Sequence, residues 1–264
     1  MTYQHMIVEK RGAADWVTLN RPDHLNALTQ DSLRELNDYF DSLLEDYSVR
    51  VVVLRGAGRA FCAGLDIKAS AAGGPHPGAE AMMQSQRRFS GLVMRMRRCP
   101  QPVIGLIHGH AAGGGFSIAL GCDVRIAAEG TKMNCAFIRI GLSGCEMGSS
   151  YHLPRLVGTS VAAELLYTGR FIDADRALRV GLVSDVVPAD RLEAAGAALA
   201  EDMLATAPLG LRLTKEAFWA NVDGNDLASA IAVEDRNQVL TVANGDLAEG
   251  MRAFLEKRKP QYGR

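Results

Sequence analysis

The apolar positions of this chain fall into short continuous runs and longer stripes at helical spacing. Met6 to Lys10 and Trp16 to Leu19, with Gly12-Ala13-Ala14-Asp15 between them, predict a hairpin or two neighbouring strands. Asn20-Arg21-Pro22-Asp23 breaks that pattern. Leu33, Leu36, Phe40, Leu43 and Leu44 then recur at helical spacing behind Thr29, a residue able to cap a first turn. Val51 to Leu54 has the size of a buried strand and closes on Arg55-Gly56-Ala57-Gly58-Arg59. The small residues Ala69 to Gly78, including Gly73-Gly74-Pro75-His76-Pro77, predict a mobile loop. Beyond it Met82, Met83, Gln86, Phe89, Leu92, Val93 and Met96 form one stripe of a long helix, expected to face the core.

The pattern then tightens. Val103 to Ile107 is another buried-strand run, followed by four glycines and an apolar segment, Phe116 to Leu120, with the character of a buried helix. Val124 to Ala127 and Val183 to Val187 predict two further strands. After Pro188 the chain reads as helices, about Ala189 to Ala205, Leu209 to Ala220, Leu227 to Val242 and Asp246 to Lys257. Strands alternating with helices require crossover connections and hence a partly parallel sheet, an α/β fold. The division is a core over 1–188 and a helical region over 189–264, an oligomerisation layer and cover whose apolar stripes must bury somewhere.

Composition narrows the function classes. A formal charge of -1 over 264 residues leaves no electrostatic footprint for nucleic acid or an anionic membrane. No apolar run is long enough to span a bilayer, and Met-Thr-Tyr-Gln-His does not begin a signal peptide. Five cysteines stand singly at 62, 99, 122, 135 and 145, which speaks against a disulfide framework or a structural zinc site and for a cytoplasmic address. No residue cluster suggests a metal.

The glycine stretch Gly113-Gly114-Gly115 carries the candidate chemistry. Glycine lets backbone approach a ligand closely, and a helix start directs unpaired N–H groups at negative charge, either phosphate or oxyanion. A P-loop needs Lys-Ser or Lys-Thr after its last glycine, where Phe116-Ser117 stands here. Asp123 comes too early for a dinucleotide fingerprint, and Ser117 lacks the flanking glycine of a nucleophile elbow. An oxyanion hole needs two converging donors, and Ala60 to Asp66 supplies a second small-residue turn directly after a strand. Two such turns could end side by side and hold a thioester or ester oxygen, or they could be unrelated loops. His108 and His110 could line the pocket, although histidines beside a glycine turn more often pack or hydrogen-bond; Cys62 and Cys145 read as small buried hydrophobes.

Several motifs then add up to a resemblance. Asn20-Arg21-Pro22 with Asn26-Ala27-Leu28, Phe61-Cys62-Ala63-Gly64-Leu65-Asp66-Ile67 and Ile107 to Gly115 are similar to the enoyl-CoA hydratase/isomerase (crotonase) superfamily. The similarity continues through Cys122 to Ala127, Leu153 to Gly158 and Ala174 to Val187, nearly the whole chain. It implies a spiral of repeated ββα units with a helical C-terminal trimerisation region, assembled as a trimer or a hexamer built as a dimer of trimers. It implies an acyl-CoA thioester substrate and no cofactor beyond the coenzyme A that the substrate carries. The thioester oxygen would lie between the N–H groups of Ala63 and Gly114, beside Gly113. Leu25, Ala27, Asp66, Ile67 and Lys68 match stretches that contact coenzyme A, and Phe254 and Lys257 match residues that reach a neighbouring subunit's nucleotide.

The departures carry as much information as the matches. Hydratases of the family use two glutamates, and the corresponding positions here are Ser117 and Phe137, residues expected to line the substrate site. One carboxylate remains, Glu146, seven residues before Leu153-Pro154 with Cys145 and Met147 beside it. The family's double-bond isomerases place a catalytic acid at that offset. The resemblance therefore implies double-bond isomerisation with Glu146 as proton shuttle. Hydration of a 2-enoyl-CoA and a non-catalytic acyl-CoA-binding protein are the alternatives.

Overall fold

The computed structural model describes residues 3–67, 78–224 and 226–262. Lys68 and the segment 69–77, expected to form a loop, lie outside the described residues. The first expectation holds closely: β1 (Met6–Arg11) and β2 (Ala14–Leu19) pair antiparallel, Met6 opposite Leu19. Thr29 caps α1 (Gln30–Ser42) in a reciprocal box with Ser32, satisfying two donors that the first turn would otherwise leave open.

β3 (Val51–Gly56) lies parallel to β2. α2 (Ala79–Arg98) leads into β4 (Val103–Ile107), which is parallel to β3. The short β5 (His110–Ala112) precedes α3 (Gly114–Gly121), β6 (Val124–Ala128) and β7 (Lys132–Asn134). α4 (Ser149–Thr168) is interrupted at Gly158, whose φ of 75° is not helical. β8 (Ile172–Asp173), α5 (Ala174–Arg179) and β9 (Asp185–Val187) complete the stranded part. The large sheet runs β1-β2-β3-β4-β6-β9 and the small one β5-β7-β8.

The central strands of the large sheet are buried on both faces. Val52 and Leu54 belong to the core shared with Phe40, Phe61 and Phe116; Val51 and Val53 face the other way, with Trp16, Ile104 and Leu192. Leu192 opens α6 (Leu192–Leu204), which covers that outer face. With both faces covered, β3 reads as a continuous apolar run rather than an alternating one.

The small sheet organises the rest. Bridges Leu28↔Leu65 and Cys62↔Ala111 extend it past β5, so the rungs step through Leu65/Cys62, Ala111 and Met133. β3, β4 and β6 are each followed by a short segment on this ladder. Three chain turns consequently leave the ladder side by side: Ala63 to Leu65, Gly113-Gly114 and Ala136-Phe137.

One packing expectation needs correction. The α2 stripe enters the core only in its C-terminal half, where Leu92, Val93 and Met96 are buried; Met82 and Met83 are 46% and 53% exposed. The fully buried positions of α2 thus lie only toward its C-terminal end.

Past Pro188 come α7 (Pro208–Asp223), α8 (Leu227–Ala243) and α9 (Asp246–Leu255), close to the expected spans. They leave large apolar side chains uncovered, among them Leu227, Val239, Phe254 and Leu255, and enclose a cleft of about 1080 Å³. Among the described residues no helix is long and apolar enough to cross a membrane.

Candidate active site

The three turns meet at a cavity of about 130 Å³ whose lining includes Ala63, Leu65, Gly113, Gly114, Phe137 and Glu146. The two glycine turns touch: a β-carbon built on Gly64 would stand 2.5 Å from the Ala112 carbonyl oxygen and 3.2 Å from the Gly114 nitrogen. Only glycine allows that approach.

Which N–H groups face the cavity follows from the hydrogen-bond pattern. Cys62 donates to His110 on one edge, at 3.1 Å, and Ala63 donates to the Leu25 carbonyl on the other, at 3.0 Å. In a regular strand Leu65 would face the Leu28 side. Gly64, with φ of 88°, resets the alternation: the Gly64 carbonyl and the Asp66 N–H both bond Leu28. Leu65 therefore turns its own N–H to the opposite edge, toward Gly113-Gly114. The donor expected at Ala63 is thus committed elsewhere, and the first turn offers Leu65 instead. Gly114 is the first residue of α3, where a helical N–H has no partner within the helix. Its neighbour Gly113 donates to Asn134, at 2.9 Å.

Glu146 reaches the cavity from the loop before α4. The Gln86 amide and the Met147 N–H both donate to its Oε1, the latter at 3.0 Å. Among the described residues Oε2 has no hydrogen-bond partner, and Glu146 is the only ionisable side chain in the cavity lining. The loop is fixed from behind: Ser149 Oγ accepts from the Glu146 N–H at 3.0 Å, and Ser117 Oγ donates to the Glu146 carbonyl at 3.1 Å.

The other expected residues divide. Phe137, buried, forms a cavity wall, and Ile67 lies on the rim, 56% exposed. Ser117 is fully buried and absent from the lining, so it supports the Glu146 loop rather than touching substrate. Asp66 pairs with Arg21 at 3.0 Å, and Arg21 also donates to the Ala27 carbonyl. Leu25 braces the first turn through its carbonyl, Ala27 bonds His24 and Arg21, and neither lines the cavity. Phe254 lines the C-terminal cleft instead, and Lys257 lines neither. Sequence reasoning passed over Gln86 as a site residue. Its only signal was a polar position within an apolar stripe.

The remaining nucleophiles and bases lie elsewhere. Burial pushes the thiols of Cys62, Cys122 and Cys135 up to about 12, which suits packing and not nucleophilic chemistry. Cys145 is exposed, contrary to expectation. His108 bonds the Gly58 carbonyl at 3.0 Å and His110 packs edge-on against Phe171, both off the cavity.

The stepped ladder and its glycine turns are features of the crotonase-fold enzymes, and the comparisons agree. A family model described as enoyl-CoA hydratase/isomerase matches residues 9–264. The crotonyl-CoA hydratase of Syntrophomonas wolfei is 35% identical over 272 residues, covering 99% of each chain. The short-chain-enoyl-CoA hydratase of Clostridium acetobutylicum is 34% identical, over 98% of this chain and 97% of its own. A crystal structure of enoyl-CoA hydratase from Bacillus anthracis superposes with a TM-score of 0.92 at 35% identity, covering 98% of this chain and 99% of that one. The chain belongs to the enoyl-CoA hydratase/isomerase family.

Proposed function

We propose that this enzyme forms and stabilises the enolate of an acyl-CoA thioester, and that it shifts a double bond of an enoyl-CoA with Glu146 as proton shuttle. The observation that carries this reading is Glu146, the lone carboxylate of the cavity wall among the described residues, held through one oxygen and with no described partner at the other. In a 3-enoyl-CoA, Oε2 removes a proton from C2 and the charge spreads to the thioester oxygen. The N–H groups of Leu65 and Gly114 stabilise that oxygen. The same carboxyl group returns the proton at C4, giving the 2-enoyl ester with no net change in protons. No cofactor is needed beyond the coenzyme A of the substrate.

Hydration of a 2-enoyl-CoA is the second reading, favoured by relatives named as hydratases. It needs a water both oriented and deprotonated while C2 is protonated, work usually shared by two acid–base groups. Phe137 fills one of the places from which a second group could act. We further propose association into a trimer or hexamer through the helices after Pro188, supported by their uncovered apolar side chains, and a cytoplasmic address, supported by free cysteines.

The test is incubation with a 3-enoyl-CoA and with crotonyl-CoA, products followed by ultraviolet absorbance and mass. The proposal expects faster conversion of the 3-enoyl ester. Brisk hydration of crotonyl-CoA with the 3-enoyl ester untouched would overturn it in favour of the second reading.

A further inference from the structure

The cavity has a size and a chemistry beyond its two donors and one base. Its volume is about 130 Å³, close to the ~150 Å³ of a dry cavity that takes a single benzene. Its walls away from the glycine turns are apolar: Phe89 from α2, Phe137, and Met147. The Phe137 ring stands against the oxyanion turn, where its Cε1 would meet a β-carbon built on Gly113 at 3.4 Å. The two polar side chains of the lining, Gln86 and Glu146, bond each other. Nothing else in the described wall could satisfy a polar group at the far end of an acyl chain.

Resting on the thioester reading above, we propose that this enzyme selects compact, wholly apolar acyl groups of about six carbons, and that Phe137 sets the size limit. An aromatic ring at that position removes space beside the reacting carbons that a smaller side chain would leave. Among the described residues, a longer chain bends out past the half-exposed Ile140 and Leu142 and gains no further enclosed surface. An acyl group ending in a carboxylate would bury its charge against phenylalanine and methionine without a partner, a heavy cost.

Saturated acyl-CoA esters are unreactive and read the cavity by binding alone. In calorimetric titrations of acetyl-, butyryl-, hexanoyl-, octanoyl- and dodecanoyl-CoA, affinity should rise about fourfold for each buried methylene and level off near hexanoyl or octanoyl. Adipoyl-CoA should bind at least tenfold more weakly than hexanoyl-CoA. Phe137→Ala should move the levelling point to longer chains; Phe89→Leu offers a second, gentler enlargement should that variant fold poorly. An unbroken rise to dodecanoyl-CoA, adipoyl-CoA binding as well as hexanoyl-CoA, or a levelling point unmoved in folded variants would overturn the size limit and leave the thioester reading intact. If no ester binds more tightly than free coenzyme A, the thioester reading itself fails, and this proposal with it.

Discussion

Ser117 serves the site without touching the cavity. Its hydroxyl holds the Glu146 carbonyl while Ser149 holds the Glu146 N–H, so a loop residue gains the fixed orientation of one on a regular element. His152 has a comparable structural place in α4, packed edge-on against Tyr151 and Trp219. Burial, and next to it the charge of Arg97, lower its pKa from 6.5 to about 4. The unfolded chain therefore binds more protons than the fold between those two values. This contribution to stability is complete above pH 6.5 and is lost as pH falls toward 4, at most about 3 kcal/mol. A nuclear magnetic resonance titration should find the His152 ring still neutral at pH 5; titration near 6.5 would contradict the assignment. At this scale the family resemblance singled out Glu146 by its offset from Leu153-Pro154, and the fold brings that side chain to the cavity. The sequence could not reveal the exchange of Ala63 for Leu65, which depends on how one left-handed glycine resets strand alternation.

The elements that were legible are those long enough to carry a period. β1 to β4, β6, α1 and the C-terminal helices followed from apolar runs and stripes within a few residues of their ends. The small sheet did not, because β5, β7 and β8 have three, three and two residues, too short for any alternation to register. No element was predicted over 149–168, where α4 contains Pro154 and is interrupted at Gly158. The missed sheet aligns the three turns, so the residues alone suggested only that two of them could end side by side, and the third, at Ala136-Phe137, came from the family resemblance. The strand-turn-helix unit ending in α3 makes its own prediction. In Gly114→Val, the β-carbon would stand 3.0 Å from Leu28 Cδ1 and 3.5 Å from Met147 Sδ, and the branch would intrude on the oxygen's approach. Losing one such donor typically costs about 10²–10³ in kcat. Unchanged turnover in a folded Gly114→Val variant would remove Gly114 from the oxyanion site.

Across the whole molecule, the body and the last helices are covered to different degrees. The central strands of the large sheet are sealed on both faces, whereas α7, α8 and α9 expose apolar side chains, Phe254 at 83% and Leu255 at 79%. Contiguous apolar surface of this kind marks an interaction face, and closed rotational symmetry is the common way to cover it with copies of one chain. With the trimer or hexamer that the family resemblance implies, sedimentation at micromolar concentration should give three or six times the chain mass, and a monomeric mass would contradict the association. The cleft among these helices would then lie at or near the contact, with Phe254 closer to a neighbour than to the cavity of its own chain.

The proposed chemistry depends on one carboxylate, and Glu146→Gln tests it most directly. Glutamine keeps the shape of the side chain and its ability to meet the Gln86 and Met147 donors through the amide oxygen, while removing the base. Isomerisation of a 3-enoyl-CoA should fall by roughly 10²–10⁴-fold, the usual contribution of a positioned acid–base group. Binding of a saturated acyl-CoA should be little changed. A Glu146→Gln enzyme that turns over every ester at the wild-type rate would contradict the assignment of Glu146 as proton carrier.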